Sequence, residues 1–440
     1  MVDRVSLRAP VCRDNESTVD DEIIRFAISQ INQYWDDYEL LFPQFQIIDD
    51  FMDQNYGFDI FKYFTNDHFK LMMSLLQNDD ISNSYKKVIL ALFTFITQTA
   101  DRDTAIFLID IGLVNFVQEN MAKNDEMYSY FMIIIYNIFE FLNRKIQDQI
   151  VLDFVQKMLE IQPTSEFLTD ECDFLYTICT YYDISTCKQM ELFSNILFRI
   201  LSFNDIDIIP DSVFECVIRL ISRYPNSLEI FLNNDFLLLY NSFLNSEKNK
   251  IKYNTLRCLD IIFANDICEN TLNDIVFNNI NISKILSFLT NNKSDSIKIC
   301  SLSIIGNICV SSKEIADAFC SLNIIQTLES LYNCSSFQVQ SRIIRCFSQI
   351  TQRVNLELKF KLLSSDFFMN IIELLPNLSK SLQKVIIINI SYALRESENS
   401  QFYNQFCEKL RNSALSDYIE QVSSERLTEY LISINEKIIN

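Results

Sequence analysis

The stretch SLSIIGNICVSSKEIADAFCSLNIIQTLESL, residues Ser301–Leu331, decides the fold of this chain. Its first part places Ile304, Ile305 and Ile308 on one face of an α-helix. The period-two alternation that a strand needs is missing. Asn323 tolerates the left-handed backbone that ends a helix, and an apolar run follows it directly. The stretch therefore predicts a long helix, a short helix, a turn and a further helix.

The apolar pattern of the long helix recurs eight times along the chain. An anchor residue returns at intervals of 41 to 46 residues, and the residue four positions before each anchor is also apolar. A helical unit of about 42 residues cannot bury its apolar face alone, whereas stacked copies can. We therefore predict an all-α solenoid of about eight repeats over residues 66–420. The anchors are Ile96, Ile138, Cys179, Ile221, Ile262, Ile308, Ile350 and Leu394.

A turn residue follows six of the anchors within 17 residues, and it is Gly, Asn or Asp in every case. These residue types tolerate the left-handed conformation, so we expect one short helix to end there and another to begin. Each repeat would then hold two short helices and one long helix. The six turn residues are Gly112, Asn195, Asn234, Asn279, Asn323 and Asp366.

The repeats resemble a known family. The stretch Ser301–Leu331, with its Gly-Asn pair, short helix and turn, looks like an armadillo repeat, and so does ILALFTFITQTADRDTAIFLIDIGLVNFVQ, residues Ile89–Gln118. The resemblance covers about four-fifths of the chain and concerns helix packing rather than a catalytic motif. It implies a right-handed superhelix whose third helices line a concave groove. HEAT repeats have a similar period and remain the alternative fold.

The two ends of the chain differ from its middle. Residues 1–21 are polar and predict a disordered tail, whereas residues 22–65 predict an acidic helical cap over the first repeat. Residues 421–440 carry apolar helical spacing and predict a C-terminal capping helix. Both caps agree with the need of terminal repeats for a polar outer face.

The composition argues against several function classes. The formal net charge is −21, from 58 acidic and 37 basic residues, which disfavours nucleic acid and an anionic membrane surface as partners. With 3 Gly and 1 His, the chain offers little for phosphate-binding loops, His-based metal sites or catalytic triads. Its apolar runs are far shorter than the ~20 residues of a membrane span. We expect no enzyme activity, no cofactor, no metal and no membrane insertion.

A few polar residues could still suggest chemistry. His68 has a carboxylate only at the adjacent Asp67, and adjacent residues on a helix do not face each other, so we expect a structural role. Asp49, Asp50 and Asp53 lack the spacing of a calcium loop and predict a solvated acidic face. Trp35 in the same segment is expected to pack inside the cap.

The cysteines predict a reducing compartment. The chain has 13 cysteines and no Cys-x-x-Cys pair, and most lie in apolar helical patterns where a thiol behaves as a small hydrophobic group. The first residues are polar and unlike a signal peptide. We therefore expect free thiols and a cytoplasmic or nuclear location.

The groove is the expected binding site. In the importin-α branch of the armadillo family, each third helix presents a Trp and, four residues later, an Asn. Only Asn137 and Asn307 match the Asn position here, and no Trp occupies the other. The same two positions in the last four repeats are mostly polar and locally basic. The predicted groove residues are Asn137, Arg257, Ser303, Asn307, Arg345, Gln349 and Asn389.

These observations predict a non-catalytic scaffold or adaptor that binds extended segments of other proteins and acts as a monomer. A divergent importin-α-like nuclear transport adaptor is one specific form of this function. The alternatives are a regulatory or cytoskeletal subunit of a larger complex and, with less support, an enzyme.

Overall fold

The computed structural model of this protein describes residues 18–55, 58, 60–121, 125–142, 148–160, 168–203, 205–396, 403–415, 418, 430–432, 434 and 437. All regular secondary structure in these residues is helical. The chain divides into two compact units, the first with residues 1–203 and 208–219, the second with residues 204–207 and 220–440.

The helices up to the boundary between the units are α1 Thr18–Gln33, α2 Tyr38–Gln54, α3 Asn66–Gln77, α4 Asn83–Thr99, α5 Arg102–Asp110, α6 Leu113–Asn120, α7 Tyr128–Leu142, α8 Asp148–Glu160, α9 Leu168–Tyr181, α10 Cys187–Leu201 and α11 Asp211–Arg223.

The helices that follow are α12 Leu228–Phe231, α13 Asn234–Leu244, α14 Asn249–Phe263, α15 Glu269–Asp274, α16 Ile282–Asn291, α17 Asp295–Ser311, α18 Lys313–Ser321, α19 Ile324–Tyr332, α20 Phe337–Arg353, α21 Leu356–Leu363, α22 Asp366–Glu373, α23 Lys380–Glu396 and α24 Tyr403–Arg411.

All eight predicted anchors lie on helices and are buried, with exposed fractions of at most 1%. We call these helices, α4, α7, α9, α11, α14, α17, α20 and α23, the anchor helices. In the first unit α7 packs between α4 and α9, and in the second unit α14, α17, α20 and α23 pack in that order. Within each of these two series the anchor helices therefore bury their apolar faces against each other, as the repeat pattern predicts.

Polar side chains at the helix starts fix where many helices begin. Asp101 accepts a hydrogen bond from the backbone N–H of Thr104 at 2.9 Å and so caps α5. Thr186 and Gln189 form a reciprocal capping box at the start of α10. Such caps satisfy backbone donors that the first helical turn leaves unpaired, and each is worth about 1 kcal/mol.

Four of the six predicted turn residues lie at helix starts, in one of two ways. Gly112 and Asn323 adopt the left-handed backbone, with φ of 90° and 59°, at the turns before α6 and α19. Asn234 and Asp366 are instead the first residues of α13 and α22. There a preceding polar side chain caps the new helix, so a left-handed residue is not needed.

The prediction of a turn at Asn195 is wrong. Asn195 lies inside α10, which runs uninterrupted from Cys187 to Leu201. The segment between α9 and α11 therefore holds one full helix and one 3-10 turn, Ile206–Ile208, instead of two short helices. A single Asn does not end a helix whose apolar face continues on both sides. This repeat therefore contains the two helices α10 and α11, whereas α18, α19 and α20 form a three-helix unit.

A π-helical segment, Ile275–Asn279, extends α15 in the repeat with the longest anchor spacing. The N–H of Ile280 donates to the carbonyl of Ile275 at 2.9 Å. The side chain of Asn241 on α13 donates to the carbonyl of Asn279 at 2.6 Å and accepts from the N–H of Asn281 at 2.8 Å. The side-chain amide of Asn241 thus binds the backbone on both sides of the turn that follows the π-helical segment.

The N-terminal cap consists of α1 and α2, which pack against each other, and α2 also packs against α4. The first helix begins at Thr18, earlier than the predicted cap boundary, because no Gly or Pro stops it there. His68 is buried and its Nδ1 accepts a hydrogen bond from the N–H of Thr65 at 2.9 Å. Its ring lies 5.7 Å from that of Trp35. Both residues have structural roles, as the sequence predicts.

The predicted tail and the C-terminal cap lie largely outside the described residues. Of the tail, residues 1–17 are outside, and of the predicted helix at 421–440, residues 421–429, 433, 435–436 and 438–440 are outside. Leu431 and Ile434 are described and are buried. The domain boundaries drawn from the sequence stay predictions.

The acidic cluster on α2 is less solvated than the sequence predicts. Asp49 is half-buried, and burial together with the neighbouring Asp53 and Asp50 raises its pKa to about 7. Tyr130 on α7 lies close enough for Asp49 to raise the pKa of its hydroxyl group, although burial is the larger cause. The correction follows from packing, since α2 turns one of its three aspartates toward neighbouring helices.

A buried charge cluster joins four helices of the first unit. The carboxylate of Glu171 on α9 accepts from the hydroxyl of Tyr128 on α7 at 2.8 Å and pairs with Arg199 on α10 at 3.1 Å. Arg199 also donates to the carbonyl of Met158 on α8. Burial raises the pKa of Glu171, and Arg199 and Tyr128 oppose that shift. Each partner satisfies a polar group that water cannot reach.

Replacement of Ile308 by Asp tests the packing of neighbouring repeats. Ile308 is fully buried on α17, so the charge would lack a partner, at a cost of several kcal/mol. We expect hydrogen exchange to rise first in α14, α17 and α20, and to stay low in α4 and α7. Gln326→Asp on an exposed position of α19 is the control. A uniform rise over the whole chain would contradict local cohesion.

Replacement of Arg199 by Met tests the buried charge cluster. Glu171 would lose its cationic partner inside the protein, and we expect the first unit to lose about 3–5 kcal/mol in urea unfolding. Adding Glu171→Gln should recover part of that loss. Lys157→Met, which removes an exposed ion pair with Glu160, should cost less than about 1 kcal/mol. An equal loss of stability in Arg199→Met and Lys157→Met would show that the buried cluster stabilises the protein no more than an exposed ion pair does.

Replacement of Asp49 by Asn tests the pH dependence of the cap. The folded state holds a proton on Asp49 up to about pH 7, whereas the unfolded chain releases it near pH 4. Wild-type stability is therefore lost as the pH rises from about 4 to 7. We expect Asp49→Asn to gain stability over the wild type across this range in urea unfolding at pH 4.5, 6 and 8. The control is Asp36→Asn at an exposed position, and a pH-independent difference for Asp49→Asn would refute the assignment.

Candidate functional site

Five of the predicted groove residues lie together on three adjacent anchor helices of the second unit. Arg257 is on α14, Ser303 and Asn307 are on α17, and Arg345 and Gln349 are on α20. The structure adds Asp260 on α14 and Arg342 on α20. Because α17 packs between α14 and α20, the residues of this set lie on adjacent helices, and Ser303 among them is 5% exposed. We call this set the arginine face, with members Arg257, Asp260, Ser303, Asn307, Arg342, Arg345 and Gln349.

A chain of hydrogen bonds crosses the three helices of this face. Nε2 of Gln349 donates to Oδ1 of Asn307 at 3.3 Å, and Nδ2 of Asn307 donates to Oδ1 of Asp260 at 3.1 Å. The Ser303 side chain lies close enough to the same carboxyl group to lower its pKa. Asp260 is thus the last acceptor in the chain of hydrogen bonds that crosses the face.

Gly306 allows the two later helices to approach closely. A Cβ atom at this position of α17 would stand 2.1 Å from Oε1 of Gln349. The missing side chain gives Gln349 room to lie over α17 and to reach Asn307. The Gly-Asn pair seen in the sequence therefore has a packing reason in the structure.

The arginines at the two ends of the face, Arg257 and Arg345, are half-buried. The guanidinium carbon of Arg257 is 5.8 Å from the ring centroid of Tyr253, one turn earlier on α14. Nη2 of Arg345 donates to the hydroxyl of Ser381 on α23 at 2.6 Å. Stacking and hydrogen bonding of this kind hold a guanidinium group in place.

The surroundings of Asp260 act on its pKa in opposite directions. Burial raises its pKa, and the Ser303 side chain and the charge of Arg342 counteract this rise. The neighbouring Cys300 has a pKa of about 11, mainly because of burial and then because of Asp260, so its thiol is neutral at pH 7. Asp260 is the acidic member of the face, among three arginines.

The basic residues of the second unit concentrate on its anchor helices. Together α14, α17, α20 and α23 carry ten Lys and Arg against three Asp and Glu. The anchor helices α4, α7, α9 and α11 carry four against six. In a chain of net charge −21, this makes the arginine face part of a local basic region.

Two predicted groove residues lie elsewhere. Asn137 is 5% exposed on α7 in the first unit, where its amide donates to Thr97 at 3.0 Å. Asn389 is 1% exposed on α23, where its amide donates to Thr351 at 2.7 Å. Both bonds join neighbouring anchor helices. These two side chains therefore contribute to packing between repeats and not to the arginine face.

Sequence reasoning missed Asp260 and Arg342. Both stand one helical turn from an arginine that the repeat alignment identified, since Asp260 follows Arg257 by three residues and Arg342 precedes Arg345 by three. Residues three apart share a helix face. A search of the flanking turns, rather than of two aligned positions alone, would have found them.

Other chemistry has little support in the described part of the chain. No group of three or more His, Cys, Asp or Glu side chains is arranged there to hold a metal ion. The cysteines described are free thiols, and burial raises the pKa of Cys346 to about 12. Among the described helices, none has the length and apolar character that crossing a membrane requires.

Comparisons with known proteins show the fold. No family model matches the sequence, and no curated protein matches it. A crystal structure of an engineered protein is similar at a TM-score of 0.67 and 13% identity, over 95% of this chain and 99% of that chain. A structure from work on a phosphorylation switch between cadherin and beta-catenin gives 0.62 and 13%, over 94% and 80%. A designed armadillo repeat protein gives 0.47 and 14%, over 55% and 98%.

The chain therefore has an all-α, armadillo-like repeat fold, which confirms the prediction from its sequence. The sequence identities are low, so the comparison establishes the architecture and leaves the function to be argued from the residues of the arginine face.

Proposed function

We propose that this protein is a non-catalytic binding scaffold whose arginine face takes an extended acidic segment of a partner protein. The observation that carries the proposal is the set of three arginines on two helices that flank a third, inside a basic region of an otherwise acidic chain. A guanidinium group binds a carboxylate through two parallel hydrogen bonds, which makes arginine well suited to acidic side chains.

The repeat architecture favours an extended ligand. Neighbouring helices lie about 8–10 Å apart, so equivalent side chains recur at regular steps along the row of anchor helices. A segment in extended conformation can contact the side chains of several anchor helices one after another. Each of these contacts need contribute only a small part of the binding free energy. The net charge of −21 disfavours a long polyanion such as nucleic acid, whereas a short acidic segment meets mainly the local basic region.

Fewer observations support the more specific functions. A nuclear transport adaptor of the importin-α type would use a Trp–Asn ladder, yet Asn137 is buried in packing and the one Trp of the chain, Trp35, lies in the N-terminal cap. A regulatory or cytoskeletal subunit would use the same face toward a fixed partner. We propose a reducing compartment of the cell, because most of the described cysteines are buried as free thiols. We also propose that the protein acts as a monomer.

Charge reversal at both ends of the face tests the proposal. The probe is a fluorescent 12-residue peptide of alternating Glu and Ser, measured by anisotropy. We expect Arg257→Glu with Arg345→Glu to weaken binding at least tenfold, about 1.4 kcal/mol, at low salt. The loss should shrink at high salt, where the wild-type attraction is already screened.

Lys313→Glu with Lys361→Glu is the matched control. It makes the same charge change at exposed positions of α18 and α21, outside the arginine face. We expect this control to keep most of the affinity. A folded arginine double variant that binds as tightly as the wild type would refute the proposal.

A further inference from the structure

We infer that the exposed side of α2, in the N-terminal cap, is a second docking surface that takes a basic amphipathic helix of a partner protein. This inference goes beyond the proposed function, because it concerns the other unit of the chain and a partner of the opposite charge. We call the surface the α2 stripe, formed by Leu40, Pro43 and Ile47.

A row of exposed apolar side chains carries the inference. Pro43 is exposed, and Leu40 and Ile47 are 43% and 39% exposed. They stand three and four residues apart, so they share one side of the helix over a length of about 10 Å. Leu41 and Phe45 lie on a different side of α2 and are fully buried in the core. The helix therefore has a second apolar side, which the described residues leave exposed.

The spacing of the stripe favours a helix as its occupant. Apolar residues at positions i, i+3 and i+7 form the seam along which two helices pack side by side. A partner helix with the same spacing can place its apolar residues between those of the stripe. The side chains of an extended strand alternate every second residue and match this spacing poorly.

Pro43 leaves a backbone acceptor beside the stripe. It lies inside α2 and has no N–H, so the carbonyl of Glu39 lacks the donor that the interior of a helix normally supplies. The side chain of Glu39 is exposed next to it. An ammonium or guanidinium group of a partner can donate to this carbonyl oxygen and to the carboxylate.

The charge of the cap determines the charge of the partner. Residues 18–54 contain nine acidic residues and one basic residue. Glu39 precedes Pro43 by four residues and the exposed Asp50 follows Ile47 by three, so both carboxylates lie next to the stripe. A helix with lysines beside its apolar seam complements this surface, whereas the same surface of a second copy would repel it.

The acidic residues of α2 already repel each other in the folded protein. Burial is the largest cause of the raised pKa of Asp49, and the negative charges of Asp53 and Asp50 add to it. Asp50 accepts a hydrogen bond from Gln46 at 2.9 Å on its own helix, so its nearest polar partner is uncharged. Lysines of a partner helix would therefore reduce a repulsion that the cap contains.

Three fluorescent, helix-forming peptides of 21 residues test the inference by anisotropy at low salt. The first has Leu at positions a and d of each heptad, Lys at e and g, and Ala or Gln elsewhere. The second has the same composition with the Leu residues scattered around the helix, and the third has Glu in place of Lys. We expect the wild type to bind the first peptide at least fivefold more tightly than either of the others.

The apolar part of the stripe is tested with Leu40→Ser and Ile47→Ser combined. This variant should bind the first peptide at least tenfold more weakly than the wild type. The matched control is Leu238→Ser with Leu322→Ser, which removes two leucines of the second unit that are each 66% exposed, and it should keep the wild-type affinity. Urea unfolding checks that both variants fold, as exposed positions lead us to expect.

The acidic part is tested with Glu39→Gln and Asp50→Asn combined. We expect a loss of at least threefold at low salt that shrinks at high salt, where the attraction is screened. Glu247→Gln with Asp266→Asn removes the same charges from exposed positions before and after α14 and should cost much less.

The outcomes separate this inference from the proposed function. The variant Arg257→Glu with Arg345→Glu should bind the basic peptide as the wild type does, whatever it does to the acidic peptide. Equal affinity for the first and second peptides would refute a helix as the occupant. Wild-type affinity in the double serine variant, or no binding of the first peptide to the folded wild type, would refute the site. A dimer in sedimentation that the double serine variant lacks would make a second copy the occupant and overturn the basic partner.

Discussion

Burial of the anchor helices against each other is the constraint on which the rest of the structure depends. No repeat covers its own apolar face, so residues such as Ile134 and Ile304 reach zero exposure only because a neighbouring helix packs over them. This requirement leaves few positions of an anchor helix open to solvent. Apart from the buried Ser303, the residues of the arginine face occupy such positions on three successive helices, and their geometry is therefore set by the core beneath them.

The sequence predicts the repeat architecture well because core positions tolerate little variation. The anchor spacing identifies all eight anchor helices, whereas the short helices between them are predicted less well. Asn195 shows why: an Asn permits a turn but does not impose one, and a capped helix with a continuous apolar face runs through it. The longest anchor spacing indicates extra residues in that repeat. Several local structures can accommodate extra residues, and the π-helical segment is the one that forms here.

The candidate site is predictable only in part, for a related reason. Equivalent positions of the repeats identify Arg257, Asn307 and Gln349, but the same rule also selects Asn137 and Asn389. Those two amides meet Thr97 and Thr351 on the preceding anchor helix and are buried. Whether a polar side chain faces solvent or a neighbouring helix depends on the rotation of that helix in the stack, which periodicity alone does not give.

The π-helical segment also bears on how such a chain can change over evolution. It takes up additional length in α15, which lies between two anchor helices in the chain, while those anchor helices, α14 and α17, remain packed directly against each other. Insertions and deletions in the outer helices are therefore separated from the register of the anchor helices. A lineage of this protein can gain or lose residues at Ile275–Asn279 and still keep the side chains of neighbouring anchor helices aligned with each other. A ligand of the neighbouring surface would then meet the same arrangement of side chains.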